Sequence, residues 1–206
     1  MKRVFDILCS FTGLIILSPF LILISMAVAL TSRGGVFFSQ VRVGKNNRDF
    51  YLYKFRTMRM GSEQKGQLTV GSRDSRITRV GYFLRKFKLD ELPQLFNVLL
   101  GDMSLVGPRP EVRKYVDLYT EEQKKVLRVR PGITDYASLE YFEESDLLAK
   151  SANPEKTYVD LIMPEKLRIN LGYIDKASLG EDLKIIFKTL GRILLGRRAS
   201  STKKTG

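Results

Sequence analysis

Residues 7–32, ILCSFTGLIILSPFLILISMAVALTS, contain no Asp, Glu, Lys or Arg. As one straight helix this stretch would be about 39 Å long, against a bilayer hydrocarbon core of about 30 Å. Pro19 follows Ser18 near its middle. Proline has no N–H to donate and its ring crowds the preceding turn, so a break or kink is expected at Ser18-Pro19. Each arm, about 18–20 Å at helical rise, is then too short to cross alone. Three readings compete. A cleavable leader would use Lys2-Arg3 as its charged start and Ala27-Val28-Ala29 as its small-residue site. A kinked helix would cross once. A re-entrant helix–break–helix would enter and leave by the same leaflet.

The flanking charges rank these readings. Lys2 and Arg3 precede the stretch. Between residues 33 and 60 stand Arg33, Arg42, Lys45, Arg48, Lys54, Arg56 and Arg59 against a single acid, Asp49. Positive flanks stay on the cytoplasmic side, and only the re-entrant form keeps both there. The single crossing comes next. Cleavage comes last, because the stretch is long for a leader and nothing downstream suits an extracellular life.

The chain of 206 residues carries 35 Lys+Arg and 22 Asp+Glu, a net charge of +13. That length suits one globular body with an appendage. The charge suits a polyanionic partner: nucleic acid, acidic headgroups or phosphorylated substrates. There is no histidine, and one cysteine, Cys9, lies in the apolar run. Ser-His-Asp and Cys-His triads, intramolecular disulfides and thiolate or imidazole zinc sites are therefore excluded. An enzyme built from this chain must use carboxylates, hydroxyls, Lys/Arg and a hard cation such as Mg²⁺.

The remainder reads as α+β and mostly helical. Residues 36–43 and 50–58 are rich in β-branched and aromatic types around Gly44-Lys45-Asn46-Asn47, which predicts a small β-hairpin. The polar stretch 61–76 reads as a mobile loop. Val80, Phe83, Leu84 and Phe87 have helical spacing. Asp90-Glu91-Leu92-Pro93 then reads as the start of a helix that runs to Leu100 and is ended by Gly101. Residues 106–110 read as a stiff linker, 111–128 as a solvated helix and 130–132 as a turn. Asn153-Pro154 and Met163-Pro164 mark helix starts. Leu179, Leu183, Ile186, Phe187, Leu190, Ile193 and Leu194 form one stripe, with Lys184, Lys188 and Arg192 at i, i+4. Such a helix can lie on an anionic membrane surface, or be a domain helix whose polar face is basic.

Asp90-Glu91 is the strongest candidate for chemistry. Adjacent acids are usually a solvated pair or a helix start, but here Arg85, Lys86 and Lys88 precede them closely. Two like charges about 4 Å apart repel by about 4 kcal/mol at an effective dielectric of 20, so an ionised pair needs countercharges or a cation. The same surroundings would hold a phosphate, and an anionic carboxylate beside a phosphate can form a covalent acyl-phosphate. Arg109, fixed between Pro108 and Pro110, presents a guanidinium fork at low entropy cost, although structural turns contain Pro-Arg-Pro too. Lys54 and Arg56 alternate with Tyr53 and Phe55, so a strand would put both cations on one face; an amphipathic edge strand reads the same way. There is no Walker loop, no G-x-G-x-x-G, no Asp-x-Asp and no nucleic-acid-binding signature.

Several ordered blocks resemble the bacterial small monotopic phosphoglycosyl transferases. They are Lys2-Arg3-Val4-Phe5-Asp6 with the Ser18-Pro19 break, Tyr53-Lys54-Phe55-Arg56-Thr57-Met58, and Ser75-Arg76-Ile77-Thr78-Arg79-Val80-Gly81. Leu84-Arg85, Leu89-Asp90-Glu91-Leu92-Pro93-Gln94-Leu95, Asn97-Val98-Leu99, Gly101-Asp102-Met103-Ser104 and Val106-Gly107-Pro108-Arg109-Pro110-Glu111 follow. The resemblance implies transfer of a sugar 1-phosphate from a UDP-sugar to undecaprenyl phosphate, with release of UMP. Asp90 would be the nucleophile of a ping-pong cycle through a phosphosugar–aspartate and would lie near Mg²⁺, while Glu91 would assist by positioning or proton handling. Lys54, Arg56, Arg85 and Arg109 would bind phosphate groups. The resemblance also implies the re-entrant helix. This gives residues 1–35 as a re-entrant membrane helix, 36–198 as a catalytic domain resting on membrane phospholipids, and 199–206 as a disordered tail. The expected location is the cytoplasmic face of a bacterial inner membrane, as a monotopic protein with no nucleic-acid partner. Asp135-Tyr136 stand where many members carry Gly and Trp, and the longer, more acidic residues 140–171 plausibly shape the sugar pocket. Two other classes compete: a membrane-anchored basic scaffold for acidic lipid or nucleic acid, and a conventional glycosyltransferase that releases UDP.

Overall fold

A computed structural model describes residues 1–62, 66, 68–71 and 74–195. The expected tail at 199–206 lies outside the described residues. The apolar stretch forms α1 (Lys2–Thr31), a helix that passes through Pro19 without interruption. Proline leaves the Ile15 carbonyl without its usual N–H partner, and the Ser18 hydroxyl donates to that carbonyl at 2.8 Å. The expected break at Ser18-Pro19 is therefore not an interruption of the helix, because the neighbouring side chain replaces the missing bond. Ser25 and Thr31 likewise donate to the carbonyls of Leu21 and Ala27. The hydroxyls of these three residues cost the apolar helix no unpaired donor.

Both ends of α1 pack on the same body. At the start, Lys2 Nζ donates to the Val106 carbonyl at 3.0 Å, to Tyr173 Oη at 3.2 Å and to Asp182. Arg3 donates to the carbonyls of Val98 and Leu99 at 2.6 and 3.1 Å. Asp6 is buried and accepts from Ser104 Oγ at 2.8 Å and the Leu105 N–H at 3.1 Å. Toward the other end, Ile24 and Val28 form a buried cluster with Phe55 and Leu84. The middle is bare: Ile15, Ile16 and Phe20 are exposed.

The hairpin is present as β1 (Phe37–Val43) and β2 (Asp49–Phe55), antiparallel, with Phe37 opposite Phe55 and Val43 opposite Asp49. Asn46 and Asn47 take the left-handed backbone that the turn needs, with φ of 57° and 60°, a conformation asparagine tolerates better than most residues. Then α2 (Arg79–Lys86) begins at Thr78, whose hydroxyl accepts from the Gly81 N–H. Asp90 and Glu91 do not cap a helix. They lie in a separate 3-10 turn (Leu89–Glu91), and α3 (Gln94–Leu100) starts only after Pro93. Pro93 supplies no N–H, so the turn closes by the shorter Leu92 N to Leu89 O bond at 3.3 Å. Gly101, at φ 97°, ends α3 as expected.

The segment around Arg109 is framed by a second, parallel pair that the sequence did not announce: β3 (Ser104–Val106) beside β4 (Gly132–Thr134), with Ser104 opposite Gly132. Residues 130–132 are thus the approach to a strand rather than a free turn. A Cβ on Gly132 would meet the Gly107 backbone nitrogen at 2.1 Å, so only glycine lets these backbones touch.

Residues 111–128 are not one solvated helix. They form α4 (Arg113–Val116) and a 3-10 stretch (Gln123–Arg128). Tyr115, Val116, Tyr119 and Val126 are buried in the largest core cluster, so the segment is not solvated all round. Beyond β4 come α5 (Tyr136–Glu140), α6 (Glu144–Leu148), α7 (Pro154–Thr157), α8 (Met163–Ile174) and α9 (Leu179–Leu195). The expected start at Asn153-Pro154 is observed, whereas α8 does not begin afresh at Met163-Pro164 but continues from α7 through a π-helical turn, Tyr158–Ile162. In α9 the buried face is Asp182 and Ile185, while Leu183, Phe187, Leu190 and Leu194 point outward. Its apolar stripe is therefore not consumed by the core. The described residues are α+β and mostly helical, with the small hairpin in place.

Candidate active site

The 3-10 turn is held from beneath. Leu89 and Leu92, on either side of the acids, pack on the cluster of Ile24, Val28, Phe55 and Leu84. The turn thereby sits on the C-terminal arm of α1. Lys88 enters it in the left-handed conformation, φ 56°, which costs a non-glycine residue about 1–2 kcal/mol. Asp90 and Glu91 are only 6% and 8% exposed, and both line a cavity of about 1550 Å³.

Two cations converge on Glu91. Arg109 forks its carboxylate, with Nη1 donating to Oε2 at 3.1 Å and Nη2 to Oε1. Lys54, on β2, donates to Oε1 at 3.4 Å. Arg109 is fixed through its backbone as well as its prolines, since its N–H donates to Asp135 Oδ2 at 2.7 Å. Asp90 has no such partner: its Oδ1 is buried and accepts no hydrogen bond among the described residues.

This asymmetry drives the two carboxyls apart. Burial alone would push Glu91 up, but Arg109, Lys54 and Lys88 outweigh it and hold Glu91 well below the usual carboxylate range. Asp90 is pushed up by burial and by the charge of Glu91, offset only in part by Lys54, Lys88 and Arg85. Burial also brings the Lys54 ammonium down to about 8, against the pull of Glu91. Glu91, in turn, holds the Arg109 guanidinium above its ordinary value. Glu91 is thus a fixed anion bound to cations, and Asp90 is the carboxylate with an oxygen left unpartnered.

Of the residues read from the sequence, Asp90, Glu91, Lys54 and Arg109 form one cluster. Arg85 is near enough to influence Asp90 and donates to Thr69 Oγ1 at 2.8 Å. Arg56 is not brought to the acids. It donates to the carbonyls of Gly35 and Phe37, both at 3.1 Å, and lies on the cavity wall. β2 ends at Phe55, so the alternation that would align Arg56 with Lys54 stops one residue short. The described part of 61–76 is tied down by Arg76, which bonds Asp74 and the carbonyls of Ser62, Gly66 and Leu68.

The structure adds residues that sequence reasoning passed over. Arg42 donates to the Pro110 carbonyl at 3.1 Å and to Glu111 Oε1 at 3.0 Å, and Tyr158 donates to Glu111 Oε2. This second ion pair braces the far side of the Arg109 segment. Glu111 lay within a quoted block, but its partner is distant in sequence and gave no local signal.

The cavity also reaches Phe5 and Cys9 on α1 and Ile186, Leu190 and Ile193 on α9. An acidic turn bound to cations therefore shares one hollow with two apolar helices. Among the described residues no cluster of three or more Asp, Glu or Cys is placed to hold a metal. Mg²⁺ typically binds one or two carboxylates and completes its shell with water and substrate phosphate. The unpartnered Asp90 Oδ1 fits that role.

The family model for bacterial sugar transferases matches residues 1–196. A UDP-N-acetylgalactosamine-undecaprenyl-phosphate N-acetylgalactosaminephosphotransferase of Aeromonas hydrophila is 41% identical over 95% of this chain and 44% of its own length. A UDP-glucose:undecaprenyl-phosphate glucose-1-phosphate transferase of Klebsiella pneumoniae is 39% identical over 96% of this chain and 41% of its own. An uncharacterized sugar transferase of Bacillus subtilis is 37% identical over 98% of this chain and 91% of its own. The chain thus spans less than half the length of the first two relatives, and nearly all of the third. With the match running from the first residue of α1 past the end of α9, the chain belongs to the bacterial sugar transferase family.

Proposed function

We propose that this chain transfers a sugar 1-phosphate from a UDP-sugar to undecaprenyl phosphate at the membrane surface and releases UMP. The observation that carries this reading is the pairing of a partnerless, buried Asp90 with a Glu91 held between Arg109 and Lys54. An Asp90 oxygen attacks the phosphorus that bears the sugar, and the P–O bond to UMP breaks. The lipid phosphate oxygen then attacks the same phosphorus. The aspartyl–phosphorus bond breaks, the Asp90 carboxylate returns, and the sugar leaves as a lipid-linked diphosphate. Lys54, Arg85 and Arg109 offset the charge of the diphosphate while it replaces water in the cavity. Glu91 holds Arg109 and Lys54 in place. Mg²⁺, held by Asp90 Oδ1 and the diphosphate, would neutralise charge on the leaving phosphate.

The activities by which the Aeromonas and Klebsiella relatives are named support the same reaction. The test is product analysis with a panel of UDP-sugars and undecaprenyl phosphate. UMP release is expected; UDP as the nucleotide product would assign the chain to conventional glycosyl transfer, and salt-sensitive lipid binding without turnover to a scaffold.

For the membrane, we propose that α1, continuous but bent at Ser18-Pro19, dips into one leaflet and returns, on the cytoplasmic face of the inner membrane. The helix is long and apolar enough to cross, with a mean hydropathy of 2.5 in its most apolar window. Its Lys2–Asp6 end and its Ile24–Val28 arm nevertheless pack on one globular body, which a simple crossing would place on opposite sides. Outward Phe187, Leu190 and Leu194 on α9 would rest on the same surface. In a Cys9→Ser background, cysteines placed ahead of Met1 and at Arg33 should label from one side of sealed vesicles. Labelling from opposite sides would overturn this topology.

Lys54 sets an alkaline limb. Its ammonium is present below a pKa of about 8 and lost above it. The kcat/KM for the UDP-sugar should therefore fall about tenfold per pH unit above that point. Lys54→Arg keeps its charge and should flatten the limb; an unchanged limb would assign it to another group.

A further inference from the structure

Behind Arg109 the cavity wall holds a polar group that the proposed chemistry does not use. Asp135 is fully buried, and its carboxylate accepts the Arg109 N–H at 2.7 Å, the Ser138 N–H, and Asn170 Nδ2 at 3.5 Å. Asn170, on α8, is 4% exposed. A carboxylate can face only the NH₂ side of a carboxamide, so Asp135 fixes which way the amide points. Asn170 Oδ1 is thereby turned away from Asp135, and among the described residues it accepts no hydrogen bond. Ser138 Oγ, one helix away, is likewise buried without a partner. Both residues line the cavity that holds Asp90 and Arg109.

A buried acceptor and a buried hydroxyl left open on one wall are costly unless something with hydrogen-bonding groups sits between them. The position of the pair indicates which part of the substrate this is. Arg109 joins the two sites, with its side chain on Glu91 and its backbone on Asp135. The wall is thus one residue away from the carboxylates at which the phosphorus is attacked. In a UDP-sugar the sugar is bonded directly to that phosphate, whereas uracil lies beyond a second phosphate and the ribose.

We propose that Asn170 Oδ1, held by Asp135, and Ser138 Oγ form the subsite that reads the sugar, accepting a hydrogen bond from one of its hydroxyls or from an acylamino N–H. Asn170 and Ser138 are specificity-determining residues, and Asp135 positions Asn170. This rests on the UDP-sugar reading above.

The test uses the full chain in detergent with undecaprenyl phosphate. The UDP-sugars of glucose, galactose, N-acetylglucosamine and N-acetylgalactosamine identify the accepted donors by UMP release. Asn170→Ala should lower kcat/KM for the accepted donor about 10- to 100-fold, while inhibition by UMP, which lacks the transferred hexose, stays within about twofold. A loss confined to acylamino sugars identifies the N–H as donor; a loss shared by the plain hexoses identifies a hydroxyl. Should Asn170→Ala fail to fold, Ser138→Ala carries the test. It leaves the backbone N–H on Asp135 and should cost about tenfold with unchanged UMP inhibition. Parallel weakening of donor and UMP would move the subsite to the uridine and overturn the proposal, as would no change in either. A wild-type chain that releases no UMP from any donor would instead remove the underlying reaction, and this subsite with it.

Discussion

Asp90→Asn should stop turnover and leave the protein folded. No lipid-linked sugar should form, and incubation with UDP-sugar alone should give no phosphosugar adduct by intact mass, a loss of at least about 10³-fold. The change is nearly isosteric but removes the proposed carboxylate nucleophile. Its effect on stability should run the other way. Asp90 is buried beside the fixed anion Glu91, so ionising it opposes folding. Two such charges about 4 Å apart repel by about 4 kcal/mol at an effective dielectric of 20, and the nearby Lys54, Lys88 and Arg85 cancel much of this. Asn should therefore stabilise the fold by about 1 kcal/mol at neutral pH, a rise of about 2–4 °C in Tm. For a carboxyl raised in the folded state, that gain is full above the folded value of Asp90. It should shrink as the pH falls below that value and disappear below the unfolded carboxylate pKa of about 3.9. An active Asp90→Asn variant would end the nucleophile assignment, and a destabilised one would show that its carboxylate is paired.

Arg109→Ala should damage both fold and function. The guanidinium bonds both oxygens of Glu91, whose side chain is 10% exposed, while Arg109 itself is 29% exposed. Removing one partner of a buried pair costs about 3–5 kcal/mol, and the residual exposure of Arg109 places this case near the lower figure. Glu91 is held below the usual range in the folded state. Its contribution is therefore full above the unfolded carboxylate pKa of about 4.3 and is lost as the pH falls further. The stability gap between Arg109→Ala and wild type should be widest at neutral pH and close in acid. Adding Glu91→Gln should recover part of it, because the Glu91 charge no longer stands without its fork, and only part because Lys54 then loses its anion. Activity should fall by about 10²–10³-fold even in Arg109→Lys, which keeps the charge but loses the fork. Wild-type unfolding at pH 7 in Arg109→Ala would mean that the pair is not formed.

Much of this centre was legible before any coordinates. Asp90, Glu91, Lys54 and Arg109 stood out because acids beside cations and a proline-fixed arginine are local patterns, and the hairpin was legible because alternation is local too. What escaped the reading depends on distant partners. Arg42 and Glu111 are 69 positions apart, and Asp135 matters only because a parallel strand pair brings it to Arg109. The helix expected at 111–128 failed because its charges outnumber its apolar residues, although Tyr115, Val116 and Tyr119 are buried. Pro19 was read as a break or kink; the helix is continuous there, and a neighbouring hydroxyl takes up the carbonyl that the lost N–H leaves.

The bonds of Lys2 also order the birth of the molecule. They reach Val106, Tyr173 and Asp182, so they cannot close until most of the chain has left the ribosome. Residues made early in this stretch are thus secured late. Throughout that interval Lys2 and Arg3 are free cations ahead of an apolar segment, and positive flanks favour the cytoplasmic side. The finished body then captures the same two side chains and converts a transient address into a permanent clasp.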